Sequence, residues 1–271
     1  MADAATPRDA ATVVVARDTP GGFEVFMLRR HSRSGFAADM WVFPGGVVDP
    51  GDATLPPDRW TGLDPERHAQ RFGVDARMVL AFHVAAARET FEEAGLLLAR
   101  HSGGGAPDLG DPALLQVRQD LADRTTKTDF GAWLAAQDLV LDLAGLTYYS
   151  HWVTPSVEPR RYDTRFFIAR VPPDQVAAYD RMETTDQQWV APSAALDAMN
   201  RGEMKLIYPT IKTLTDLARF DSIDAVVAAA TAQPEIRRIQ PHAELDDQGR
   251  FVRVLHPDDP EFPSHLYSNS A

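Results

Sequence analysis

The segment from Met78 to Leu96 constrains the fold of this chain more than any other. Its first part, Met78-Val79-Leu80-Ala81-Phe82-His83-Val84-Ala85-Ala86-Ala87, contains no Asp, Glu, Lys or Arg. A helix with no charged side is covered on most sides, so other elements must wrap around it. The second part, Arg88-Glu89-Thr90-Phe91-Glu92-Glu93-Ala94-Gly95-Leu96, then gathers three carboxylates. At about 100° per residue, Glu92 lies about 60° to one side of Glu89 and Glu93 about 40° to the other. All three acids therefore share one arc of roughly 100°. Asp75 suits the N-cap and Gly95 the stop, which predicts a helix from about Asp75 to Ala94. The acids then sit at the negative end of the helix dipole, where each is disfavoured by about 0.3–1 kcal/mol.

Geometry alone leaves two readings open, a solvated acidic helix end or a cation site. Only Arg88 is close enough in sequence to neutralise the three acids, whereas a hard divalent ion bound through oxygen would reverse the penalty. A second segment bears on the choice. Trp41-Val42-Phe43-Pro44-Gly45-Gly46-Val47-Val48-Asp49-Pro50-Gly51-Asp52 reads as a short apolar strand running into a loop whose glycines permit close backbone approach. Together the two segments resemble the Nudix box: Gly, five residues, Glu, seven residues, then Arg-Glu-aliphatic-any-Glu-Glu-any-Gly-aliphatic. Gly46 matches the first Gly, Asp52 stands at the first Glu position, and Arg88, Glu89, Glu92, Glu93, Gly95 and Leu96 match the second half. Thr90 stands where an aliphatic residue is usual, and 35 residues separate Asp52 from Arg88 in place of seven. A box split at this place is similar to that of the Nudix branch that includes a peroxisomal coenzyme A diphosphatase. Phe26 to Arg30 with Phe36, Trp152 to Pro155, Arg160 to Phe167 and Glu183 to Leu196 support that branch more weakly.

The resemblance implies an α/β/α sandwich with a mixed sheet, carrying helical and loop insertions. It implies hydrolysis of a diphosphate linkage in a nucleoside diphosphate derivative, coenzyme A or acyl-coenzyme A first. Nucleotide sugars, ADP-ribose or NADH are the alternative substrates, and a non-catalytic nucleotide-sensing module is the alternative role. Glu89, Glu92 and Glu93, with the Gly46 carbonyl, are the implied ligands of Mg²⁺ or Mn²⁺. Glu89 is the implied base, with Glu183 on a downstream loop as the alternative, and Arg88 the residue that orients a neighbouring Glu. Arg29, Arg30, Arg160 and Arg161 are dense positive pairs whose planar forks suit phosphate oxygens. Surface charge at strand ends is an equal reading for any one of them. His31, His83 and His151 match no metal spacing and read as structural, and Trp41, Trp152 and Trp189 read as core.

The rest of the chain agrees. With no cysteine, disulfides, thiol catalysis and thiolate metal sites are excluded, leaving oxygen and imidazole ligands. A net charge of −12 argues against nucleic acid polymers, so an anionic substrate must be held by local Arg groups and metal. No run approaches the length of a membrane span, and the N-terminus lacks the regions of a signal peptide, so the expected location is cytoplasmic. The oligomeric state stays open, a homodimer among the options.

Residues 1–9 read as a disordered leader, 10–220 as the Nudix domain, and 221–271 as a helix and irregular tail packed on it. Within the domain, 53–77 reads as a loop excursion and 101–145 as a helical insertion. Strands are expected at Thr12–Ala16, Phe23–Leu28, Trp41–Phe43, Tyr162–Ala169 and Gln188–Ala191, with one more at Phe251–Leu255. Helices are expected at 193–201, 209–220 and 223–232.

Overall fold

The structure is a computed structural model, and it describes residues 5–32, 37–123, 125–172, 175–180 and 183–263. Phe36 lies outside the described residues. The chain opens with a hairpin of β1 (Arg8–Thr19) and β2 (Gly22–Arg30), turning at Pro20-Gly21 with Thr19 opposite Gly22. β3 (Trp41–Val42) then pairs with β2 and β4 (Gly45–Val47) with β1, both antiparallel. Next come β5 (Trp60–Thr61), α1 (Pro65–Phe72) and α2 (Ala76–Ala94). β6 (Ala99–His101), α3 (Pro112–Ala122), α4 (Phe130–Ala136) and β7 (Leu139–Asp142) form the insertion. β8 (Thr147–Val153), β9 (Tyr162–Arg170) and β10 (Thr184–Val190) complete the large sheet with β11 (Arg238–Ile239). Between β10 and β11 run α5 (Pro192–Asn200), α6 (Tyr208–Leu217) and α7 (Ile223–Ala232). β12 (His242–Leu245) and β13 (Phe251–Leu255) form a terminal hairpin.

The large sheet runs β10-β2-β1-β9-β8-β11, and it is mixed because β1 lies parallel to β9 and β8 parallel to β11. Side chains alternate across it with the period of two that a strand imposes. Val13, Val15, Phe26 and Leu28 pack with α2, while Val14, Ala16, Val25 and Met27 pack with residues of α5, α6 and α7. Both faces are therefore buried, which is why Val13–Ala16 and Phe26–Leu28 read as unbroken apolar runs. The fold is the expected α/β/α sandwich.

The covered helix lies at the centre of one layer. Asp75 caps α2 by accepting the Met78 amide at 2.8 Å, and Gly95 ends it at φ +69°, donating to the Phe91 carbonyl at 2.9 Å. Thr90 is fully buried, and its hydroxyl donates to the Ala86 carbonyl at 2.7 Å. That bond lets a polar side chain occupy an otherwise aliphatic position.

Four expectations need correcting. The leader ends earlier than residue 9, because Arg8 and Asp9 belong to β1 and pair with Tyr162 and Asp163 of β9. Their polarity concealed a strand whose partner supplies the ladder. Residues 53–77 are not a plain loop: short 3₁₀ turns at Pro50–Thr54 and Pro57–Arg59 lead through β5 into α1. Pro65 is the first residue of α1, where its missing amide costs nothing, and Asp64 accepts the Arg67 amide at 3.1 Å. The 101–145 insertion holds strands as well as helices, since β6 and β7 join β5 in a small sheet ordered β5-β7-β6. Strands of two to four residues are too short to show a period. The tail is likewise more regular than expected, with β11 on the large sheet and the hairpin of β12 and β13 beyond it.

Candidate active site

The two halves of the split box meet through one side chain. Arg88 Nε and Nη2 donate to the two oxygens of Asp52 at 3.0 and 2.9 Å, a bidentate fork closing 36 residues of chain. Asp52 is 3% exposed, carried to this position by the first 3₁₀ turn, and its Oδ2 also accepts the Asp49 amide at 2.8 Å. Arg88 Nη2 donates to the Val47 carbonyl at 2.9 Å, and Nη1 to Glu89 Oε1 at 2.7 Å. Burial works against the Arg88 charge, but Glu89 and Asp52 together hold the guanidinium well above its ordinary range. Burial pushes the Asp52 carboxyl up, against the pull of the Arg88 fork.

The acids of α2 face β4 and the end of β2. Glu93 Oε2 accepts the Gly45 amide at 2.8 Å, and Arg30 Nη1 approaches its Oε1 at 3.9 Å. Arg30 Nη2 reaches Glu183 Oε2 at 3.5 Å, so one guanidinium bridges an acid of the helix and an acid at the start of β10. Arg88 Nη1 lies 3.7 Å from Glu92 Oε2. Burial raises Glu89, opposed chiefly by Arg88. Burial and then the charges of Glu89 and Glu93 push Glu92 up to about 10. Burial and the Glu89 charge push Glu93 up to about 8, with Arg30 pulling the other way.

Such a cluster fits a divalent cation by charge and by ligand type, since oxygen ligands that repel one another are relieved by a hard ion. Among the described residues, no three His, Asp or Glu side chains are already gathered at ligand spacing. Glu89 is turned to Arg88, and Glu93 to Gly45 and Arg30. Gly46 packs directly against Glu89. A Cβ there would lie 2.5 Å from the Glu89 carboxylate, the movable end of a side chain rather than backbone. Gly46→Ala is therefore expected to leave the melting temperature within a few degrees while displacing Glu89 and lowering turnover by about 100-fold. Thermal unfolding and initial rates on the same preparation check both parts.

The other candidates are scattered. Arg29 lies at the end of β2 and pairs with Asp39 at 3.5 Å. Arg160 is exposed in the β8–β9 turn. Arg161 is buried, its fork donating to the carbonyls of Thr154 at 3.1 Å and Ala5 at 2.8 Å and to Gln240 at 3.3 Å. None of these contacts reaches the acid cluster. His83 Nδ1 lies 2.7 Å from the Val79 carbonyl, and burial pushes the ring down to about 4. His151 Nε2 lies 2.6 Å from Asp163. Trp41 and Trp152 are buried in the layer facing α5 to α7, and Trp189 is half-buried against Phe26. Sequence reading missed Asp180, whose Oδ1 accepts the amides of Glu183 and Thr184, both at 3.1 Å, and so fixes the start of β10. An Asp three residues before the acid is the local signal that would have found it.

A family model described as the NUDT19 Nudix domain matches residues 77–219. Acyl-coenzyme A diphosphatase NUDT19 of Gallus gallus is 31% identical, over 80% of this chain and 69% of that one. The Homo sapiens protein of the same name is 30% identical, over 74% and 62%. Putative nudix hydrolase 7 of Caenorhabditis elegans is 26% identical over 80% and 62%, so this chain spans under two thirds of two of the three. The crystal structure of a NUDIX hydrolase from Alicyclobacillus acidocaldarius superposes with a TM-score of 0.69 at 30% identity, covering 82% of this chain and 96% of that one. By the matched family model and these identities, the chain belongs to the Nudix hydrolases, as a pyrophosphohydrolase of the group that the NUDT19 Nudix domain describes.

Proposed function

We propose that this enzyme hydrolyses the diphosphate linkage of coenzyme A or acyl-coenzyme A in the cytoplasm, with Mg²⁺ or Mn²⁺ held by Glu89, Glu92, Glu93 and the Gly46 carbonyl. The observation that carries this reading is the carboxylate cluster at the end of α2, with Glu89 and Glu93 buried, closed by the Arg88–Asp52 fork and met by Glu183 just before β10. The names of the chicken and human relatives support the acyl-coenzyme A substrate. Nudix hydrolases use divalent metal ions, and such an ion, when bound, supplies positive charge to the diphosphate oxygens and acidifies a water.

The chain's own residues do the rest. Water attacks one phosphorus, the bond to the bridging oxygen breaks, and two phosphate-bearing products leave. Glu89, oriented by Arg88, accepts the proton of the attacking water, with Glu183 as the second candidate for that task. Arg30, at the β2 end beside the acids, provides a fork for the phosphate oxygens. Arg30 already holds Glu93 and Glu183 in one frame.

Phosphate-product release with Mg²⁺ and with Mn²⁺ from coenzyme A, acetyl-coenzyme A, NADH, ADP-ribose and nucleotide sugars tests the reading. Fastest metal-dependent turnover of the coenzyme A compounds supports it. Preference for another member moves the substrate, and binding without turnover anywhere in the panel ends the hydrolase reading of this site.

The raised acids also make a prediction for the metal-free protein. Their folded values lie above the ordinary carboxylate value, so the folded state holds more protons than the unfolded one from about pH 4.5 upward. Stability from this source is fully present below that pH and is lost as pH rises through about 8 for Glu93 and about 10 for Glu92. The melting temperature without metal is expected to fall between pH 7 and pH 9 by several degrees more than with saturating Mg²⁺. Calorimetry at pH 7 in buffers of different ionisation heat should show protons released on metal binding. No release would contradict the protonated cluster.

A further inference from the structure

We propose that Arg118, on α3 of the helical insertion, is a positioning residue that sets Glu183 against the Glu92–Glu93 end of α2; this rests on the reading of Glu183 as a working acid of the site. Its guanidinium bonds three backbone carbonyls on two segments. Nε donates to the Glu92 carbonyl at 2.9 Å and Nη2 to the Glu93 carbonyl at 3.2 Å. Nη2 also donates to the Ala178 carbonyl. One planar fork thus joins the last carbonyls of α2 to the segment that leads to β10, and it places a cation at the negative helix end that the sequence had left uncompensated.

The same segment is stitched to the helix end by further bonds. Gln175 donates to the Leu97 carbonyl and accepts the Leu97 amide, both at 2.9 Å, and the Ala178 amide donates to the Ala94 carbonyl at 2.8 Å. The Tyr179 amide donates to Gln187 Oε1 on β10 at 2.7 Å. Asp180 then fixes the amides of Glu183 and Thr184, and it also accepts the Thr184 hydroxyl at 3.0 Å. From α3 to Glu183 the connection is continuous: Arg118, Ala178, Asp180, Glu183. Gly95 gives the fork its room, because a Cβ there would lie 2.8 Å from Arg118 Nη1. The insertion therefore serves the site from behind. It touches the backbone of the acids rather than their carboxylates, so it fixes where they point without adding a group to the reaction.

Arg118→Lys keeps the positive charge at the helix end and the aliphatic stem while losing the fork. It is expected to fold with a melting temperature near that of the parent and to keep KM within about twofold, while kcat falls by about 10- to 100-fold, the scale of a small misplacement of a reacting group. Amide exchange at Ala178, Glu183 and Thr184 should quicken, while Val79–Ala87 stays protected. In a Glu183→Gln background, the lysine variant should then cost little more. Parental exchange at Glu183 and Thr184, or equal losses of kcat in both backgrounds, would overturn the positioning role and leave Arg118 as a helix-end cap. A parental kcat for Glu183→Gln alone would remove the Glu183 reading and the kinetic consequence given to Arg118, and the exchange result tells that failure apart from loss of the clamp. Arg118→Gln, which loses the charge as well, repeats the exchange test should the lysine variant misfold.

Discussion

Arg88→Ala is expected to destabilise the fold by about 3–5 kcal/mol, the scale of removing one partner from a buried ion pair, and to lower the melting temperature by roughly 10 °C or more. The substitution strands two carboxylates, because Asp52 and Glu89 both depend on this guanidinium and both are buried. It also orphans the Val47 carbonyl. Arg88→Lys should recover less than half of the loss, since an ammonium cannot serve Asp52 through two parallel bonds and Glu89 through a third. Asp52→Asn combined with Arg88→Ala should cost less than the sum of the two, because the pair fails as a unit. Thermal and urea unfolding of the parent and the four variants, Asp52→Asn alone included, decide the matter. A melting temperature for Arg88→Ala within two or three degrees of the parent would mean that the fork is not what closes the box.

Glu93→Gln is expected to move activity and stability in opposite directions. The amide keeps the shape and can still accept the Gly45 amide, but the charge that burial and Glu89 push up to about 8 is gone. Metal-dependent turnover should fall by about 100- to 1,000-fold, the scale of losing one fixed electrostatic element in a closed site. The metal-free protein should become more stable, the more so above pH 8, since the repulsion with Glu89 and Glu92 is relieved there. Calorimetric metal affinity and the metal-free melting curve at pH 7 and pH 9 read the two effects separately. Equal turnover with weaker metal binding would detach Glu93 from the chemistry, and a lower metal-free stability would contradict its strained environment.

What the sequence disclosed and what it withheld divide along a physical line. The sheet and the covered helix were legible because their periods are local. Val13–Ala16 and Phe26–Leu28 announce buried strands, and Asp75 and Gly95 bracket α2 at the observed ends. The acids of α2 were legible as a cluster because helical spacing alone puts them on one arc. Contacts between distant segments were not. Nothing near Arg118 in sequence suggests that its fork serves the Glu92 and Glu93 carbonyls, and Arg30 gave no sign that it bridges Glu93 and Glu183. Arg161 looked like a phosphate fork by composition, yet its donors are taken by the carbonyls of Ala5 and Thr154, a pairing visible only once β8 and β9 are folded. The small β5-β7-β6 sheet escaped for the opposite reason: its strands are too brief to carry a pattern.

The Arg88–Asp52 fork also bears on how much connecting chain the fold can tolerate. Bringing the ends of a loop together loses entropy only logarithmically with length, about 0.6 kcal/mol for each doubling. Going from seven residues to the 35 between Asp52 and Arg88 is little more than two doublings, about 1.4 kcal/mol. A buried bidentate pair whose disruption costs more than that holds the ends together whatever path the intervening residues take. The linear distance between the half-motifs is thus nearly a free variable, and this chain has used it to house α1 and the strand that seeds a second sheet.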